Sequence, residues 1–95
     1  MKVVAIAHRS ETHAPEDFAP HLDAEVDHAL GLLSEEKIRE IYSRTDGKGA
    51  IIVLEAENEA QAQSYLDSLP LAQKGMLTFE VYGTKPYRGF LRGIS

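Results

Sequence analysis

KIREIYSRTDGKGAIIVLE, residues 37–55, decides the fold. Asp46-Gly47 and Gly49 can supply the positive φ angles of a tight reversal, and β-branched residues stand on both sides, so the stretch reads as a β-hairpin. Pairing across that turn sets Ile41 on one face with Ile52 and Leu54. Glu40, Tyr42 and Arg44 fall on the other face with Ile51 and Val53, a mixture of apolar and reactive side chains.

Upstream of the hairpin, KVVAIAH reads as a short β-branched strand ending in the polar RSETHAPED loop, where Pro15 suits a helix start. A helix is expected from about Glu16 to Leu33. Its apolar positions Phe18, Leu22, Val26, Ala29, Leu30 and Leu33 form one stripe, expected to pack on a sheet. Two rows of the first strand, Val3-Ala5-Ala7 and Val4-Ile6-His8, are both plausible as its inward face.

Downstream, Asn58 to Leu69 reads as a second helix with Asn58 as N-cap and Ala62, Tyr65, Leu66 and Leu69 inside; Pro70 prevents its continuation. MLTFEVY is a fourth strand, with Leu77, Phe79 and Val81 facing one way and Thr78, Glu80 and Tyr82 the other. The order βαββαβ, with right-handed crossovers, predicts an α+β, ferredoxin-like fold: a four-stranded antiparallel sheet with both helices on one face. One domain spans residues 1–95, with 84–95 as a C-terminal arm.

The uncovered face would carry Ile51, Val53, Tyr42 and Tyr82, an apolar patch that a second copy of the chain is expected to cover. Pro86, Tyr87, Phe90 and Leu91 are too apolar for a solvated end, so the arm is expected to wrap a neighbouring subunit. A homodimer or higher homo-oligomer follows.

A chain of 95 residues with formal charge -5 has no general attraction for phosphate backbones, and its ten Lys and Arg residues form no block, so nucleic acid is not an expected partner. Without cysteine there is neither disulfide nor thiolate chemistry. No segment approaches the roughly 20 apolar residues of a membrane span, and the short Val3–Ala7 run is broken by His8-Arg9-Ser10-Glu11, so no membrane partner and a cytoplasmic location are expected. Gly47 and Gly49 sit in a hairpin and make no phosphate loop.

The stretch from Ile38 to Pro86, above all the Leu69-Pro70-Leu71 turn and the strand after it, resembles the muconolactone isomerase family of dimeric α+β barrel proteins. Where that family tends to carry a Trp-Arg pair in its second strand, this chain has Tyr42-Ser43-Arg44. The resemblance implies subunits packed sheet to sheet, a cavity between sheet and helices reached by a neighbour's C-terminal segment, and a cofactor-free allylic proton shift in a small unsaturated lactone acid.

Such a shift needs a base, an acid and donors to a dienolate oxygen, with no metal or cofactor. His8, at the end of the first strand, could reach a cavity mouth. Glu40 and Glu80 stand at the cavity-side parity of their strands, a costly place for a carboxylate unless it is paired, wet or working. Tyr42 and Tyr82 are candidate donors to a substrate oxygen, and Arg44 and Arg88 candidate clamps for a carboxylate. His21, Glu25 and His28 recur at i, i+4 and i+7; the expectation is a solvated flank rather than a metal site, with His21 kept as a catalytic candidate. Two other readings stay open: a cofactor-free oxygenase or hydrolase-like enzyme on an aromatic compound, and a non-enzymatic ligand-binding or assembly module whose cavity is filled by Tyr42, Tyr82 and the tail.

Overall fold

The computed structural model describes residues 1–94. Strands β1 (Lys2–Arg9), β2 (Ile38–Ser43), β3 (Gly49–Glu55) and β4 (Leu77–Gly83) form one antiparallel sheet in the order β2-β3-β1-β4. The hairpin register places Ile41 opposite Ile52 and Tyr42 opposite Ile51, with a bulge between Ile38 and Glu40. Gly49 permits the sheet to close behind that hairpin. Its φ is 152°, and a Cβ there would stand 1.8 Å from the Ala7 carbonyl oxygen.

Helices cover one face. The inward row of β1 is Val3, Ala5 and Ala7, which packs with Ile38, Ile52 and Leu54 of the sheet and with Leu32, Ala62, Leu66 and Leu69 from the helical layer. Small alanines in the central strand let the helical layer approach closely. A satellite cluster of Phe18, Leu71 and Met76 closes one end.

The first helical segment departs from one continuous helix over Glu16–Leu33. Pro20 lacks the N–H an α-helix interior needs, and the segment divides into α1 (Pro15–Phe18), a 3₁₀ turn (Ala19–His21) and α2 (Leu22–Ser34). Asp17 accepts the Ala14 N–H at 2.8 Å and so secures the start of α1. The expected apolar stripe is only partly inside. Phe18 is buried and Ala29 half-buried, whereas Leu22, Val26, Leu30 and Leu33 are exposed; Leu32 takes the buried position instead. The helix is rolled so that Glu25, Ala29 and Leu32 point toward the sheet side.

Helix α3 (Glu59–Asp67) starts as expected, with the Asn58 side chain accepting the Gln61 N–H at 2.8 Å. Pro70 does more than stop it: Pro70 opens a further short helix, α4 (Pro70–Gln73), from its first position. The chain ends in α5 (Arg88–Ile94), where Tyr87 and Phe90 pack edge to face with each other and stay exposed. The side chain of Leu91 lies outside the described residues. Among the described residues no helix is long and apolar enough to cross a membrane.

Candidate functional site

Between α2, α4 and the covered side of the sheet lies a cavity of about 200 Å³. Leu22, Val26, Ile41, Ile52, Leu69 and Leu71 give it an apolar wall, into which Glu25 brings a carboxyl group. The reason that a carboxylate is tolerated there is local. The first N–H groups of a helix have no partner within it, and the Leu71 N–H near the start of α4 donates to Glu25 Oε1 at 2.9 Å. Burial pushes the Glu25 carboxyl above the usual carboxylate range, against the Leu71 N–H and His28, which both favour its charged form. Arg9 is the cationic member of the lining, its guanidinium 4.9 Å from the Phe18 ring centroid, and Ser43 supplies a hydroxyl.

Glu40, Tyr42, Glu80 and Tyr82 stand elsewhere. Their register with Val53, Ile51, Ile6 and Val4 puts all four on the open face of the sheet, opposite the helices and this cavity. The expected cavity-side parity is corrected accordingly: the cavity takes the alternate row, Ile41, Ser43, Ile52 and Leu77. Nor do Tyr42 and Tyr82 fill it, since both are about half exposed.

On the open face the predicted residues are bonded to one another. Tyr42 donates to Glu40 at 2.6 Å and Tyr82 to Glu80 at 2.6 Å. Both phenols are thereby held above their ordinary range by the neighbouring carboxylate, and Glu80 is held below its own, first by Tyr82 and then by His8. Glu80 also meets His8 Nε2 at 2.6 Å, while Arg44 Nη1 meets His8 Nδ1 at 2.8 Å. Arginine can only donate, so Nδ1 must accept and Nε2 must carry the proton that goes to Glu80. Both ring nitrogens of His8 are committed. Arg44 further donates to the Ala7 carbonyl at 3.3 Å and to Asp46 at 2.5 Å, so the predicted clamp is already engaged by the protein.

His21, at the end of the 3₁₀ turn, and Arg88, at the start of α5, line neither this cavity nor the cleft beside His8 and Arg44. The His21, Glu25, His28 row is not a solvated flank throughout, because Glu25 turns inward while His28 meets Ser68 Oγ at 2.8 Å on the exposed side. Among the described residues no group of three or more His, Cys, Asp or Glu is arranged to hold a metal ion. Sequence reasoning missed Glu25 and Arg9 as site residues. The signal for Glu25 was an acid flanked in the helix by apolar Leu22, Val26 and Ala29, within reach of the proline that begins the next helix.

No protein-family model and no curated protein matches the sequence. Solved structures match the fold. The 5-chloro-2-hydroxyhydroquinone dehydrochlorinase of Burkholderia phenoliruptrix AC1100, in complex with 2,5-dihydroxybenzoquinone, superposes with a TM-score of 0.74 at 16% identity, covering 94% of this chain and 98% of that one. Muconolactone isomerase superposes with a TM-score of 0.73 at 17% identity, covering 93% and 92%. The chain therefore shares the fold of these two proteins.

Proposed function

We propose that this chain is a cofactor-independent isomerase that moves a proton along a small unsaturated lactone or ring acid, with Glu25 as the group that carries it. One observation supports the reading above the others: a half-buried carboxyl of raised pKa faces an apolar cavity of about 200 Å³, large enough for a single small ring. A carboxylate so placed is a stronger base than one in water, because burial favours the protonated form it becomes.

In the proposed step, ionised Glu25 takes the proton from the acidic ring carbon, and the C–H electron pair moves into the conjugated system to leave a dienolate. The same carboxyl then returns the proton to the distal carbon, and the double bond has shifted with no net change in atoms or electrons. Ser43 and Arg9 are the donors in the lining for the dienolate oxygen and the acid group. The two fold neighbours are named for work on a lactone and on a chlorinated hydroxyhydroquinone, small oxygenated rings of the size this cavity admits.

The open sheet face and the arm complete the reading. Val4, Ile6, Ile51 and Val53 lie half-buried there, with Tyr42 and Tyr82 exposed among them, and a second subunit packed sheet to sheet would cover them. The arm from residue 84, with exposed Tyr87 and Phe90, would lie on that neighbour and shield a cavity mouth bordered by exposed Leu22 and Val26.

Incubation of the purified protein with muconolactone, followed in the ultraviolet, tests the reaction. Turnover that Glu25→Gln removes and Glu80→Gln keeps is the expected result; equal rates in all three proteins would refute the assignment.

A further inference from the structure

At the C-terminal end of β1 a second cavity, of about 470 Å³ and open to solvent, lies between the loop that follows β1 and the β2–β3 hairpin. It is lined by the cations Arg9, Arg44 and Lys48 and by the histidines His8 and His13. Arg44 and His8 are committed to the network described above, and Asp46 answers Arg44 and the Lys48 N–H, accepting the latter at 2.8 Å. Arg9 and Lys48 are different. Neither side chain forms a close ion pair among the described residues, the Lys48 ammonium acting on Asp46 only through space, although the chain carries 15 acidic residues against 10 basic ones.

The backbone sets these two residues side by side, because the Arg9 N–H donates to the Lys48 carbonyl at 2.8 Å, and both line the cleft. The Arg9 guanidinium is further held against the face of Phe18, and His13 is set against the same ring, 6.1 Å between centroids, with its Nδ1 on Ser10 Oγ at 2.9 Å. That leaves His13 Nε2 without a partner among the described residues. Positive groups that line one cleft share a field that favours an anion over water between them. Glu11, the remaining carboxylate of the lining, is exposed.

We infer that this cleft, which meets the Glu25 cavity at Arg9, is an anion site that takes the carboxylate or phosphate group of a small molecule on Arg9, Lys48 and His13. Arg44 keeps N–H donors beyond the three it uses here and can add to the site without releasing Asp46 or His8.

The test is a titration of isotope-labelled protein, followed by amide chemical shifts, with inorganic phosphate in one arm and malonate in the other, chloride holding the ionic strength constant. Saturable shifts at Arg9, Ser10, His13 and Lys48 are expected, and the arm that saturates first identifies the group. Lys48→Gln, on the exposed hairpin, weakens that binding about tenfold, the size of one charge-assisted hydrogen bond. Glu11→Gln strengthens it, by removing a competing charge. Non-saturating shifts in both arms, or affinities unchanged in both variants, would overturn the inference. Glu25→Gln should leave the titration as it is, so loss of turnover and loss of anion binding are separate results.

Discussion

Replacing Glu25 by Gln separates its chemistry from its place in the fold. Gln retains an oxygen that can accept the Leu71 N–H, now held at 2.9 Å, and removes a charge that burial opposes. Folding stability near neutral pH should therefore change by less than about 1 kcal/mol, or rise. Glu25→Ala instead leaves the Leu71 N–H without its acceptor, at about 1–3 kcal/mol, which for a domain of this size lowers Tm by about 4–8 °C per kcal/mol. The pH dependence has a definite sign. A carboxyl whose folded pKa is raised contributes stability that is complete below its ordinary value of 4.5 and is lost as pH rises through the folded value. The two proteins should thus melt alike in acid, with Glu25→Gln gaining on the parent as pH climbs to neutrality. Turnover should fall by about 10²–10⁴ in both variants, the contribution of a general base. Thermal melts across pH beside the ultraviolet assay supply both readouts. A Glu25→Gln protein that melts like Glu25→Ala, or that retains full turnover, would refute the reasoning.

Glu80→Gln gives the opposite pH signature. Tyr82 and His8 hold Glu80 below its ordinary value, so its small contribution is present above the carboxylate range and disappears as pH falls through the folded value; chemical denaturation at neutral and acid pH reads the difference. Gly49→Ala should unfold the chain or cost more than about 3 kcal/mol, because the added Cβ stands 1.8 Å from the Ala7 carbonyl oxygen, and circular dichroism would show it. Ile51→Arg, at the centre of the open sheet face, should abolish the proposed dimer in sedimentation and leave a monomer that keeps its helical and strand signals. A parent chain that sediments as a stable monomer at micromolar concentration would remove the basis for the proposed subunit contact.

Period and punctuation in the sequence were enough for the architecture. Alternation through Glu40, Ile41 and Tyr42, the Asp46-Gly47 turn and the register to Ile51 and Ile52 all follow from local rules, as does the Asn58 cap. The bulge after Ile38 and the break at Pro20 altered details of elements already placed. Which row of β1 faces inward was not a local matter, because both rows are apolar; the small Val3-Ala5-Ala7 row won by admitting the helices. The same limit applied to the site. Glu80 and Glu40 could be assigned to a face by counting, but only the sheet's three-dimensional partners show that this face lies away from the cavity. Glu25 became a candidate when the roll of α2 and the turn at Pro70 brought its carboxyl to the Leu71 N–H, 46 residues along the chain. Residue order thus determined the strands, the turn and their alternation, since those depend on neighbours in sequence. Tertiary packing decided where charge is desolvated, because desolvation depends on every group that comes near, however distant in the chain.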